Sequence, residues 1–561
     1  MKKILLLLLT IMSLSMTSQV TTIANGNWGN PAIWSSASVP GNNTDVIINH
    51  IVIMTSASTA RTITINNKLI NNANILSVRG GLINNGTYTD NVGTIRFRSS
   101  NTHNVTGTIV TSNLIVDNVS TVGLNSNFVV KNLANVNGVL NSNGFLILYD
   151  DVINTGILGA MTGVINGNFT SQTYINRCNK WSYYSAPFNT TYSDIRDSSS
   201  GNMIYTGFPG SDYPSFSFIN TYRYITATGY VAPNNVTDNL SRGVGYTYWN
   251  SDTVFASPGP SIPQQWKIST VGSINFNQSF VYSLSYSPSD AWNLVGNPYP
   301  GTIDWRSNNW TKSNISTTIY LWNTCNQNWS TYNSTNNAST NGASRYISPY
   351  QGFFVLTSNN VASLSAPKSV IVNNSSNLLK PSADPLPPNS LMISTGRDEM
   401  IVSMDSSATD LYDQDYDALL PDTSNYLYSL DNTNKYIVNV VEHKDYDTIN
   451  ISVKNSGTLT FTGINTFTSH RLYLLDTQSQ ISSQISEGYT YTFAVSGINE
   501  SRFKIVFEPF LLNNIQSQTL LKPKRKLIRS IDILGRDVNS DYKGLIINQY
   551  DDGTSDRKVI Q

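Results

Sequence analysis

Between Val20 and about Thr170, apolar residues alternate with Asn, Thr and Ser in bursts of a few positions, as in "TITINN" and "NLIVDN". Alternation with period two is the mark of a half-buried strand, and the 3.6-residue spacing of an amphipathic helix is absent. Gly or Asn interrupts every four to eight residues. Asn accepts left-handed backbone and bonds its own main chain in turns. Short strands with corners at irregular intervals predict stacked coils, a right-handed parallel β-helix over 19–172, with Asn side chains laddered inside the corners. A β-sandwich built from the same segments is the alternative. Trp28 and Trp34 are predicted to cap the first coil, whose open end would expose apolar side chains and unpaired edges.

The pattern changes at about 173. Eight of the ten Trp lie between Trp181 and Trp329. "WSYYSAPF" places Trp181 six residues before Pro187, and "WNLVGNPY" places Trp292 six before Pro298. Gly245 in "GVGYTYW" follows the first Pro by 58 residues, and Gly352 in "YQGFFVL" follows the second by 54. The matched order predicts a duplicated β unit across 173–370, with Trp181 and Trp292 in its core. Trp305, Trp310 and Trp329 sit among Asn, Ser and Thr and are expected to be exposed. Residues 371–390 carry four Pro among Ser and Asn and read as a linker. From 391 to 510 strands alternate cleanly ("YIVNVVEH", "RLYLLD", "RFKIVFEP"), which predicts an antiparallel β-sandwich of jelly-roll type. A second linker, 511–526, precedes three short strands in 527–561. The whole chain reads as all-β.

The ends bear on compartment. Lys2 and Lys3 precede an apolar run from Ile4 to Leu9 that ends among Ser13, Ser15 and Ser18, which predicts a secretory signal peptide over 1–18, cut between Thr17 and Gln19. The run is about half the ~20 residues that span a bilayer, and no later segment approaches that length. Only two cysteines occur, Cys178 and Cys325. Outside the cytosol such a pair is more often bridged than free, although spacing alone does not bring the sulfurs together.

Charge narrows the functional classes. Charged residues make up 12% of the chain, 35 basic against 35 acidic, which excludes a nucleic-acid binder that grips phosphates by net charge. Glu first occurs at Glu399, and Asn supplies 69 residues, so the front of the chain is wetted by amides and hydroxyls.

Candidate chemistry is sparse. The four His (His50, His103, His443 and His470) show no metal-ligand spacing, and the first two are expected on the solenoid surface. Asp150 and Asp151 are adjacent, so on a strand they point to opposite faces. Arg79, Arg96, Arg98 and Lys131 could serve a lyase, but Arg96 and Arg98 read more simply as one solvated strand face. No catalytic or cofactor-binding residue is assigned. "DLYDQDYDALLPD" supplies Asp410, Asp413, Asp415, Asp417 and Asp422, oxygen ligands of which the first four suit a structural Ca²⁺, although the run lacks the Gly and Glu of an EF-hand. The other reading is an acidic turn. Exposed aromatic faces in the middle third could stack on sugar rings.

Three parts of the chain resemble known families. "NGNWGNPAIWSSASVPGNNTDVIIN" resembles the starts of many secreted Bacteroidetes surface proteins, with its tryptophan pair, Val-Pro and Asp-Val-Ile strand. "DAWNLVGNPYPGTIDW", "RYISPYQGFFV" and "DQDYDALLPD" resemble stretches common in flavobacterial secreted proteins. The tail resembles the C-terminal sorting domain of type IX secretion cargo at Asp532, Gly535, Arg536 and Val538, at Gly544 with Leu545 to Ile547, and at Gly553 with Lys558 to Ile560. It departs from that pattern in having Leu545 where Tyr is usual. Without the resemblance, the tail reads as a last hairpin of the sandwich. The resemblance implies passage through the type IX machinery to the outer surface of a Gram-negative cell. The expected role is adhesive or structural, without catalysis; the alternative is binding or degradation of extracellular polysaccharide.

Overall fold

The structure is a computed structural model that describes residues 18–176, 178, 180–196, 203–249, 265–374, 385–442, 447–510, 526–532, 534–539, 542–550 and 555–560. The expected leader lies outside the described residues except for Ser18, which already pairs with Thr44. The chain is almost all β, and its front is a solenoid of about seven turns. Every strand pair within the front is parallel, which decides for the solenoid over the sandwich. Three sheets form its faces. One stacks eight strands, from Ser18–Thr21 through Thr44–Ile48 and Ile63–Ile65 to Val164–Asn166.

The stacking is apolar because the period is two. Val46 lies over Ile63, Ile63 over Leu82, Leu82 over Val105 and Val105 over Leu124. All five are buried, so each turn adds a rung to one aliphatic column. Asn ladders do form, but on the outside of the corners: Asn66 donates to Asn49 at 2.9 Å and Asn85 to Asn66 at 3.0 Å, with all three side chains exposed. The physical reason is that a corner turns the amides outward while the strand ends supply the core. His103 also departs from expectation. It is fully buried beside Phe97, takes a 2.7 Å bond with the Gly80 carbonyl, and is held below its usual pKa by burial. His50 is half-buried against Thr22, and His443 lies outside the described residues.

Two glycines permit tight corners. Gly138 and Gly163 precede the paired strands Val139–Asn141 and Val164–Asn166. A Cβ at Gly163 would lie 1.9 Å from the Gly138 carbonyl oxygen, and one at Gly138 would lie 2.2 Å from that of Ser120. Gly163→Ala is therefore expected to cost about 1–3 kcal/mol by overpacking. A urea midpoint equal to wild type would show that the corner yields freely.

Both solenoid ends are covered. At the start, Trp28 and Trp34 are buried edge to face at 5.1 Å, and the Trp34 indole donates to the Trp28 carbonyl at 2.8 Å. At the other end, Gln265–Gly272 pairs antiparallel with Phe169–Asn176 along eight positions. The Leu158 amide there donates to Pro300 of the second repeated unit, and the hydrophobic core runs without a break from one to the other.

The repeat in the middle third is repeated in register. Trp181–Ser185 pairs antiparallel with Gly245–Trp249, matching Ser185 to Gly245. Trp292–Gly296 pairs with Gly352–Leu356, matching Gly296 to Gly352. Each sheet then adds a strand and its hairpin partner: Thr221–Ile225 with Gly229–Val231, and Thr318–Asn323 with Asn328–Asn333.

Residues 390–509 form one hydrogen-bonded sheet of eleven strands that folds over on itself as the expected sandwich does: Phe493 on its last strand packs on Phe503 near its other end at 5.2 Å, and the facing sides share one core. Glu399–Met404 and Lys435–Val441 run parallel. The long 405–434 segment, which includes the acidic run, supplies the crossover that a parallel pair needs. The 371–390 stretch does not separate independent bodies. Ile371 belongs to the solenoid core, and Leu386 packs where the last sheet meets the second unit. Residues 375–384 of that stretch, and 511–525 of the second expected linker, lie outside the described residues.

The tail folds as three antiparallel strands, Leu527–Asp532, Gly544–Tyr550 and Ser555–Ile560. Asp532 closes its first turn by accepting from the amides of Leu534 and Arg536 and from the Arg536 guanidinium, with Gly535 at φ +81°. Gly544 takes φ +134°, Lys558 pairs with Ile546, and Gly553 lies outside the described residues. Among the described residues no helix is long and apolar enough to cross a membrane.

Candidate functional site

The two repeated sheets and the last sheet meet around an aromatic cleft of about 400 Å³. Its walls come from several elements. Trp181 and Tyr183 lie on the first strand of the first unit, Thr247 on its partner, and Tyr222 and Tyr230 on the hairpin beside them. Trp322 comes from the second unit and Asp422 from the loop of the last sheet. Trp181 packs against Tyr222 at 5.7 Å and Trp249 at 5.5 Å, which fixes the angle of its ring. Trp322 is held from the other side, its indole donating to the Trp181 carbonyl at 3.0 Å.

Burial and charge fix the protonation of the cleft. The Tyr183 hydroxyl bonds the Tyr230 hydroxyl. Burial pushes Tyr230 to about 12, with the charge of Asp422 adding to the rise, and 47% of the residue is exposed. Burial likewise raises Tyr183, and Tyr230 beside it adds to that. Both phenols therefore stay protonated at neutral pH, and one of the two O–H groups is spent on the bond between them. The lining holds one carboxylate, and a glycosidase of the usual kind needs two.

A disulfide joins the cleft's two sides. Cys178 and Cys325 are bridged, with Cα atoms 5.0 Å apart. The Lys180 ammonium donates to the Cys325 carbonyl at 3.3 Å, and the hydroxyls of Ser182 and Thr324 bond at 3.2 Å. Trp181 follows Cys178 by three residues and Trp322 precedes Cys325 by three. The bridge thus brings together two tryptophans that are remote in sequence.

The sequence placed the aromatic residues differently. Trp305, Trp310 and Trp329, expected to be exposed, are buried. The Trp305 and Trp310 indoles donate to Thr317 and Asp304 carbonyls, and Trp329 packs on Tyr183, Trp322 and Phe354. Their Asn, Ser and Thr neighbours are buried with them: Asn328, Ser330, Thr331 and Asn333 show no exposed surface and bond across to other elements. Trp181 and Trp292 are half-buried, not core. Trp292 packs on Tyr320 and Trp181 faces the cleft. Trp322, Tyr222 and Tyr230 were not singled out by sequence, and Asp422 was named only as the end of the acidic run. The signal that could have found Trp322 is its spacing from Cys325, mirrored at Cys178 and Trp181.

The acidic run is used within the fold. Asp417 is buried, accepts from the amides of Asp413 and Val440 at 2.8 Å each, and is pushed up to about 7 by burial. Asp413 accepts from the Asp415 amide, and the Asp415 carbonyl takes bonds from Thr317 and Asn333 of the second unit. Asp410 is exposed. Among the described residues no group of three or more His, Cys, Asp or Glu is placed to hold a metal ion. Asp150 and Asp151 diverge: Asp150 is buried, accepts from the Tyr174 amide and is raised to about 7 by burial, whereas Asp151 caps the turn at Ile153 and Asn154. Arg96 pairs with Asp117 and Arg98 is exposed.

No protein-family model, curated protein or solved structure matches the chain.

Proposed function

We propose that this is an exported cell-surface β-protein of adhesive function, and that it holds carbohydrate in the cleft between Trp181 and Trp322. The observation that carries the reading is the cleft itself. Tryptophan and tyrosine faces, a hydrogen-bonded pair of phenols and a single carboxylate converge where three sheets meet. Aromatic faces pack on the C–H faces of pyranose rings, while hydroxyls at the edge pair with sugar hydroxyls. One carboxylate without an acid partner supports binding over hydrolysis.

A glycan array followed by titration calorimetry on the mature chain tests this. Trp322→Ala is expected to cost about 2 kcal/mol, roughly thirtyfold in Kd. Unchanged affinity in that variant would remove the cleft from the reading, and turnover of any bound glycan would remove its non-catalytic character.

Export rests on the leader and on the tail's likeness to type IX sorting domains. Three strands closed by the Asp532–Arg536 turn form a compact unit that a translocation machine could read. Deletion of 527–561 is expected to leave the protein in the periplasm, scored by protease shaving of whole cells. Normal surface display of the deletion would refute the sorting role.

A further inference from the structure

A second cavity, of about 230 Å³, opens on the seam between the two repeated units and is distinct from the aromatic cleft in its chemistry. Two arginines line it, Arg223 and Arg242, and no Asp or Glu does. Among the described residues neither arginine makes an ion pair. The carboxylate nearby in sequence to the far wall, Asp290, is already satisfied by the Tyr224 hydroxyl and by the amides of Ala227 and Trp292.

Arg242 is held as a fixed fork. Its guanidinium carbon lies 4.8 Å from the centre of the Phe280 ring and 5.1 Å from that of Tyr299, and its Nε donates to the Pro298 carbonyl at 2.7 Å. Gly243 next to it takes φ +75°, and a Cβ there would lie 2.2 Å from Phe280, so the ring closes directly over the backbone. Burial lowers the guanidinium's pKa without neutralising it. A cation immobilised this way has already lost its rotamer freedom, so an anion that meets it pays little more in ordering. Arg223, on the adjacent strand, is exposed and adds a second positive charge at the mouth. The hydroxyls of Ser283 and Ser285 line the same cavity.

We infer that the Arg223–Arg242 cavity is a binding site for an oxyanion carried on a sugar, a carboxylate or sulfate of an acidic saccharide. A guanidinium is a planar fork that suits bidentate recognition of such an oxyanion, and the second arginine adds charge at the mouth. The serine hydroxyls and the small volume suit one saccharide unit around it. The inference stands apart from the aromatic cleft, shares no lining residue with it, and survives or fails without it.

The test is calorimetry on the mature chain at low ionic strength with three probes: tri-galacturonic acid, its methyl ester and inorganic sulfate. The free acid is expected to bind at least tenfold tighter than the ester and to weaken as salt rises. Sulfate is expected to compete with it. Arg223→Gln and Arg242→Gln are each expected to weaken the acid at least tenfold, and the exposed solenoid variant Arg98→Gln to leave it unchanged. Should Arg242→Gln fail to fold by circular dichroism, Arg223→Gln decides alone. Equal binding of acid and ester, no binding of the acid, wild-type affinity in Arg223→Gln, or an equal loss in Arg98→Gln would each overturn the assignment.

Discussion

Opening the Cys178–Cys325 bridge is expected to lower stability by about 5 kcal/mol, the chain-entropy value for a closed loop of this length. The bridge spans a sequence separation of 147 residues, and no second disulfide shares the constraint. Its position makes the loss local as well as global. It ties the entry to the first unit to the hairpin turn of the second, beside the Trp322–Trp181 hydrogen bond. Urea unfolding of a Cys178→Ser, Cys325→Ser double variant measures the effect, and the same variant is expected to bind carbohydrate more weakly. A midpoint within experimental error of wild type would mean that sheet packing alone fixes the two units.

Asp476→Ala is expected to cost about 3–5 kcal/mol, the usual penalty for leaving a buried charge without its partner. The Asp476 side chain is 1% exposed and that of Arg502 11%. The fork is bidentate, Nε to Oδ1 at 2.9 Å and a terminal nitrogen to Oδ2 at 2.7 Å, and the Tyr491 hydroxyl adds a third bond. Burial alone would raise the carboxyl, but the Arg502 and Tyr491 bonds outweigh it and hold Asp476 well below the usual carboxylate range. The sign follows from linkage. A carboxylate with a depressed pKa in the folded state stabilises above its unfolded pKa, about 4, and loses that stabilisation as pH falls below it. Wild type is therefore expected to lose stability between pH 5 and pH 3 more steeply than Asp476→Ala, read as the difference in urea midpoints. Parallel pH profiles would assign the acid sensitivity elsewhere.

The fold was legible wherever a single period ran along the strand. Ile63, Thr64 and Ile65 alternate in sequence and in burial, and the Trp–Pro–Gly spacing foretold a duplicated unit, in which Gly245 and Gly352 pair at equivalent positions. Legibility failed where a surface was covered by something distant. Asn328–Asn333 looks wet beside Trp329, but the last sheet lies on it and supplies partners at Asp398, Asp415 and Asn425. Polar residues that bond across an interface cannot be told from polar residues that bond water. His103 misled for the same reason, because its partner, the Gly80 carbonyl, is a main-chain atom one turn back. The cleft was half legible. Its aromatic richness showed in composition, but its walls come from three regions brought together only by tertiary packing and one disulfide.

The antiparallel strand Gln265–Gly272 gives the solenoid a fixed count. A parallel stack can in principle accept another identical rung, which is how fibres grow from solenoid-like edges. Here the last parallel strand, Phe169–Asn176, is already paired with a strand running the other way, and buried Ile274 and Phe276 continue beside Val164–Asn166. A second copy arriving at that end meets a reversed hydrogen-bond pattern and a folded unit. The chain can therefore stand crowded with identical neighbours without templating end-to-end growth there.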